Sequence, residues 1–231
     1  MERFLRVKSL IGEESFKKLN SSHVAVFGLG GVGGYAVEAL ARSGVGKLTL
    51  FDNDPVSITN INRQLIATDK TLGVLKTQVW EKRLKDINPE LQVQVFNVFY
   101  LPDNADNYPL CEFDFIIDAI DTVTAKIELI SRAKEQGINI ISSMGTGGKT
   151  DISKLKVCDI SKTTDCPLAK VVRRELSFRG IKDVPVVFST EKRAGETFSE
   201  NVRHAPSSMI FVPAAAGLML AEYVVKKLIS K

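Results

Sequence analysis

Thr59-Asn60-Ile61-Asn62-Arg63-Gln64 gathers amides around one guanidinium in a short stretch of the chain. A guanidinium forks onto phosphate oxygens and neighbouring amides can position it, so this word suits a triphosphate. Lys76, on the next helical segment, offers a second positive charge. Taken alone, the same residues would also suit a surface loop and a solvated lysine. Upstream lie Gly28, Gly30, Gly31, Gly33 and Gly34, where absent side chains let backbone approach an anion. Asp52 follows at the end of an apolar run, placed to accept hydrogen bonds from ribose hydroxyls. Downstream, Asp118-Ala119-Ile120-Asp121 supplies two carboxylates. One could cap a helix, and the other, Asp121, is free to hold a magnesium ion through oxygen. The expected ligand is therefore ATP with Mg2+. An NAD-dependent oxidoreductase would use the glycines and Asp52, but would leave the Asn60–Gln64 word and the Asp118–Asp121 pair unexplained.

The elements that must position these groups follow from periodicity. Val24 to Phe27 is a short apolar run suited to a buried strand. The glycines then lead into an Ala-rich helical pattern, and Lys47 to Phe51 forms a second strand. Strand, glycine turn, helix and strand make the first βαβ unit of a nucleotide-binding fold. Thr71 to Ile87 reads as a helix stopped by Asn88-Pro89, and Leu91 to Phe96 alternates like a strand. Phe113 to Ile117 is a strand ending at Asp118, and a helix runs from Asp121-Thr122 to about Gln136. Ile138 to Ser142 is a strand ending in MGTGGKT. The fold class is α/β, a doubly wound, Rossmann-like, mostly parallel sheet with its ligands at the strands' carboxyl ends. Met1 to Leu19 reads as two helical pieces broken at Gly12. Beyond Thr150, Leu155 to Ile160 and Val184 to Ser189 read as strands, Pro167 to Phe178 as a basic helix and Val212 to Leu228 as an apolar one. This part continues the sheet, in an order that periodicity leaves open. The chain is read as a single domain over 1–231, with a nucleotide-binding half (1–150) and a substrate-side half (151–231).

Several classes are disfavoured. Gly148-Lys149-Thr150 resembles the end of a phosphate-binding P-loop, but Ser143 stands where its first glycine belongs, and a strand, not a helix, follows. Cys111, Cys158 and Cys166 form no C-x-x-C pair, so neither a disulfide framework nor a four-cysteine zinc site is supported. No apolar run is long enough for a membrane span, and the N-terminus lacks a signal peptide's apolar core, which makes the cytoplasm the expected location. The net charge of +4 allows a nucleic-acid partner without demanding one.

In this order GLGGVGG, D-N-D, N-I-N-R-Q, Lys76 and D-A-I-D resemble the adenylation core of the ubiquitin-activating-like (ThiF/MoeB/HesA) superfamily. INPE, Lys162-Thr163 leading to CPLA, VVFSTE and AAAGLMLAEYVV are similar to its branch of tRNA threonylcarbamoyladenosine dehydratases. The resemblance implies an enzyme that adenylates a carboxylate with ATP and Mg2+. It implies that Gly28, Gly30, Gly31, Gly33, Asp52, Asp54, Asn60, Arg63, Gln64, Lys76, Asp118 and Asp121 bind the nucleotide. Arg63, Lys76 and Asp121 would serve catalysis, together with Arg6 reaching the nucleotide of the other protomer in a homodimer. In that branch the carboxylate belongs to the threonyl group on a tRNA adenosine, and the neighbouring carbamoyl group closes a ring with net loss of water. A sulfur-relay protein is a further partner the resemblance admits. The alternative is an activator of a ubiquitin-like sulfur carrier, which would often pair C-x-x-C zinc motifs with a catalytic cysteine. The pairs are absent, so Cys166 is expected to be incidental. Lys170, Arg173 and Arg174 share one face of the basic helix, with Arg179 and Lys182 beyond its end. With tRNA as substrate, this face is expected to meet its phosphates.

Overall fold

The computed structural model describes residues 2–195, 197–200 and 203–230. At its centre lies β1 (His23–Phe27), an apolar strand buried along its whole length. Parallel to it run β2 (Lys47–Phe51) on one side and β4 (Phe115–Asp118) on the other. β3 (Gln92–Phe96) continues the sheet beyond β2, and β5 (Asn139–Ser143) beyond β4. Strand alternation then fills two cores. Val24, Val26, Leu48 and Leu50 point into one cluster, while Ala25, Phe27, Phe51 and Ile116 point into the other. The first cluster is covered by α3 (Gly33–Ser43), α4 (Lys76–Ile87) and α7 (Phe211–Ile229). The second is covered by α5 (Val123–Glu135) and α6 (Pro167–Phe178).

The open question of the C-terminal order resolves into β5, β7 (Pro185–Ser189), then β6 (Leu155–Asp159) at the edge. β7 runs parallel to β5, and β6 runs antiparallel to β7. The sheet therefore extends as expected, with one antiparallel edge strand carrying the exposed Lys156. A two-stranded hairpin, β8 (Thr197–Glu200) with β9 (Arg203–Pro206), was not anticipated. At the N-terminus, α1 (Leu5–Ile11) and α2 (Glu13–Ser21) break at Gly12 as expected.

Two boundaries moved for identifiable reasons. The helix expected from Thr71 starts at Lys76. Gly73 sits at φ +79°, and Val56 N donates to Val74 O at 2.8 Å, which holds this stretch as a turn against the chain after β2. Similarly, α5 begins at Val123, and no side chain caps it, so neither aspartate of the 118–121 pair serves that role. The last helix reaches back to the first βαβ unit. A Cβ on Gly217 of α7 would lie 2.3 Å from the carbonyl oxygen of Val32 and 2.8 Å from Tyr35 Cβ, so only glycine allows this crossing.

Candidate active site

A parallel sheet of this order has its switch point between β1 and β4, where the chain leaves in opposite directions and a crevice opens at the carboxyl ends. A cavity of about 850 Å3 occupies that crevice, within the range of small-molecule sites. Its first wall is built by the glycine loop. Gly28 adopts φ +88°, and a Cβ there would lie 2.6 Å from Ala119 O, so the loop and the post-β4 segment can touch only through a glycine. Gly30 is different, because a Cβ at that position would meet only Gln64 Nε2, at 3.8 Å. Its missing side chain is space left to the cleft. Among the described residues no side chain caps α3; Gly34 N donates to Gly30 O at 3.0 Å, and the positive end of the helix dipole favours an anion in the cleft.

Asp52 ties this loop to the sheet. Its Oδ2 accepts from Leu29 N at 2.7 Å and its Oδ1 from Asp54 N at 2.8 Å. A carboxylate offers about four lone-pair directions, so accepting from ribose hydroxyls is compatible with both bonds. Lys76 is buried and donates to Asp54 Oδ2 at 2.7 Å, with Asp52 Oδ1 at 3.5 Å. Arg63 lines the cleft, its Nη1 donating to Thr59 O at 2.8 Å and Asn62 Oδ1 at 3.0 Å. These bonds hold the guanidinium in place from within its own turn. Asn60 is buried, and its Oδ1 accepts from Ser57 N at 3.1 Å, so part of its work is to fold that turn. Gln64 is also buried, and among the described residues its Oε1 has no hydrogen-bond partner. A buried unpaired amide oxygen on a cleft wall is a place for a ligand's donor. The open space at Gly30 and this orphaned oxygen together fit a nucleotide. Asp121 is exposed at the cleft. Among the described residues no three His, Cys, Asp or Glu side chains cluster as a metal cage. A lone carboxylate fits magnesium, which commonly takes one or two carboxylates and completes its shell with substrate phosphates and water.

Two expectations need correction. Asp118 was expected at the nucleotide, but it is fully buried below the cleft. It pairs with the equally buried Lys126 at 2.7 Å and accepts from Ser142 Oγ at 2.5 Å and Ile120 N at 3.0 Å. It is the anchor of the loop that carries Asp121. Arg173 was expected to share a free basic face with Lys170 and Arg174. Its Nη1 instead donates to Thr163 O and Oγ1, both at 2.7 Å, fastening α6 to the preceding turn. Arg174 is exposed but bonds Glu175 at 2.8 Å, and Lys170 is exposed. Arg6 is exposed on α1 and is not part of the cleft of its own chain.

The second wall comes from the substrate-side half. Met144 to Gly147 follow β5, Cys166 and Leu168 stand at the start of α6, and Arg193 and Pro206 close the far side. The amide Nδ2 of Asn62 donates to Ser208 O at 2.8 Å, joining the two walls. Lys149 belongs to this second wall and was missed by sequence reasoning. Its position just past a strand's carboxyl end was the usable signal, but the comparison with a P-loop drew attention away from it.

A Rossmann-like sheet whose switch-point cleft is lined by the glycine loop, Asp52, Arg63, Lys76 and a second wall from the C-terminal half defines an α/β nucleotide-binding protein of the adenylating class. The sequence model of the ThiF family matches residues 2–231, and the chain belongs to that family. It is 42% identical to the tRNA threonylcarbamoyladenosine dehydratase of Bacillus subtilis (strain 168), over 99% of this chain and 95% of that protein. The crystal structure of Escherichia coli tRNA N6-threonylcarbamoyladenosine dehydratase, TcdA, in complex with ATP superposes with a TM-score of 0.92 at 34% identity, covering 99% of this chain and 94% of that one. The adenylyltransferase and sulfurtransferase uba4 of Ogataea parapolymorpha is 32% identical over 64% of this chain and 37% of its own length.

Proposed function

We infer that this chain is an ATP-dependent tRNA threonylcarbamoyladenosine dehydratase. The observation that carries the reading is the extent of the likeness. The dehydratase relative matches 99% of this chain, and so takes in the second wall as well as the nucleotide half. In the proposed reaction a carboxylate oxygen of the threonyl group attacks the α-phosphorus of ATP, and pyrophosphate leaves. The neighbouring carbamoyl group then attacks the activated carbonyl carbon, releasing AMP and a proton, with net loss of one water. Both reacting groups belong to one substituent, so proximity drives closure and no protein nucleophile is required.

Within this reading Asp52 receives the ribose and the glycine loop the phosphates. Arg63 and Lys76 stabilise charge that builds on the phosphoryl oxygens. Lys76 is released toward phosphate from its pairing with Asp54. Asp121 would hold magnesium, whose charge would offset that of the polyphosphate. We also place Arg6 at the nucleotide of a second copy, because it stands outside its own chain's cleft. The exposed Ile61, Met209, Ile210 and Phe211, grouped around the Asn62–Ser208 bond, support a homodimer. Light scattering that finds only active monomers would refute it. Lys170 and Arg174 on α6, with exposed Phe178 one turn beyond Arg174, form the expected tRNA face. The cytoplasm is the proposed location, and a sulfur-relay protein an additional partner to be sought by co-purification. No helix among the described residues is long and apolar enough to cross a membrane.

The direct test is mass spectrometry of nucleosides from tRNA carrying threonylcarbamoyladenosine, after incubation with the protein, ATP and Mg2+. The expected result is ATP-dependent loss of one water from that nucleoside. An unchanged nucleoside, with the protein folded and ATP bound, would refute the reading.

A further inference from the structure

Lys149 stands apart from every other lysine of the cleft. It is 3% exposed, yet it lines the cavity. Its Nζ donates to Ser189 O at 2.9 Å, and among the described residues it makes no other hydrogen bond and no ion pair. Lys76 and Lys126, equally buried, each rest on a carboxylate. An ammonium has three N–H donors, and this one has a single neutral acceptor. The nearby Glu191 does not neutralise it at contact, because that carboxylate accepts from Thr150 N at 3.0 Å and Asp151 N at 2.9 Å. Asp165 and Cys166 also face it, the one exposed and the other a buried thiol. Burial accordingly pushes the Lys149 ammonium below the ordinary lysine range. A buried cation without a counter-charge is costly, and an anion arriving in the cleft would complete it.

The anion that belongs on this wall is not the polyphosphate, whose cradle is formed by the glycine loop, Arg63 and Lys76 across the cavity. We propose that Lys149 is the substrate-side anchor that receives the reacting carboxylate of the acyl substrate and presents it to the nucleotide. This rests on the dehydratase reading above. Lys149 is a binding and positioning group in this assignment, and it forms no covalent bond. It gives a role to a buried lysine beside Met144, Gly145, Cys166 and Leu168, on a wall whose other cation, Arg193, stands at its far side.

The test compares two forms of one tRNA, a form bearing threonylcarbamoyladenosine and an unmodified transcript, by gel-shift affinity with wild type, Lys149→Met and Lys149→Gln. A hydrogen bond to a charged group is worth enough that Lys149→Met should cost the preference for the modified form roughly ten- to hundredfold. Affinity for the transcript, and for ATP by calorimetry, should be unchanged. Lys149→Gln keeps a donor without the charge and should fall between. The melting temperature of Lys149→Met should be equal to or above wild type, because an uncompensated cation has been replaced by an apolar chain of similar length. Three results would overturn the assignment: an unchanged preference in Lys149→Met, a loss of ATP affinity, or a lowered melting temperature that marks the bond to Ser189 as structural. A wild-type protein that leaves the modified nucleoside intact counts against the dehydratase reading. Wild-type turnover with an unaltered preference in Lys149→Met counts against Lys149 alone.

Discussion

Replacing Lys126 by Met removes the cation from a fully enclosed network. Its ammonium donates to Asp118 Oδ2 at 2.7 Å, Ser143 O at 2.9 Å and Ser142 Oγ at 3.0 Å, so all three donors are used. Both Lys126 and Asp118 have no solvent exposure. The variant leaves Asp118 as a buried carboxylate with no counter-charge, and breaking such a pair on one side costs about 3–5 kcal/mol. For a chain of this length each kcal/mol moves the melting temperature by roughly 2–4 °C, so the fall should be on the order of 6–20 °C. Differential scanning calorimetry measures it, with urea midpoints as an independent check. Adding Asp118→Asn removes the stranded charge and should recover at least half of the loss, while the amide oxygen keeps the bond from Ile120 N. Since that bond sets the loop bearing Asp121, the double variant should keep a KM for ATP close to that of wild type. A loss below about 1 kcal/mol in Lys126→Met, or a double variant no more stable than the single one, would refute this account of the network.

Arg63→Ala should lower adenylation by roughly 10²–10³, the usual cost of one donor to transition-state charge, which pyrophosphate exchange at saturating ATP would report. Asp121→Ala should abolish the same exchange while changing stability by no more than about 0.5 kcal/mol, because the residue is exposed. Cys166→Ser should retain dehydration, since the substrate carries its own nucleophile. Loss of dehydration with adenylate still formed would instead demand a thioester or persulfide step. Acid should destabilise the fold through His23, whose ring bonds Thr49 Oγ1 at 2.7 Å and whose pKa burial holds below 6.5. The unfolded chain then binds more protons, so stability is full above about pH 6.5 and declines as pH falls toward the folded-state value. His23→Gln should flatten melting temperature against pH over that window, and an unchanged slope would count against the assignment.

The first βαβ unit was legible because every signal in it is local. Val24 to Phe27, the glycines and Asp52 are consecutive, and each residue's geometry depends on near neighbours. The basic helix Pro167–Phe178 was legible to the residue for the same reason, with proline at its first turn. What stayed hidden depends on pairing across the chain. Nothing in Val184 to Ser189 says that it inserts between β5 and β6, because a buried apolar strand fits many neighbours. Asp118 reads like Asp121 in sequence, and only the approach of Lys126 and Ser142 from other elements turns it inward. Arg173 likewise lost its expected freedom to Thr163, ten residues away across a turn. Lys149 was hidden by a motif comparison that failed correctly while leaving the lysine itself unexplained.

The crossing of Gly217 against Val32 has a consequence for biosynthesis. The carbonyl it covers ends the glycine loop, so a helix made almost two hundred residues later is the backing plate of that early turn. Until Phe211–Ile229 has emerged, Val24, Val26, Ala36 and Leu40 lack part of the apolar cover that the finished protein gives them. A nascent chain can pair β1 with β2 early, but its glycine loop gains rigid support only once α7 has been made. Nucleotide capture is thereby coupled to the synthesis of α7, and a chain stalled before that helix exposes an apolar face that chaperones and proteases can recognise.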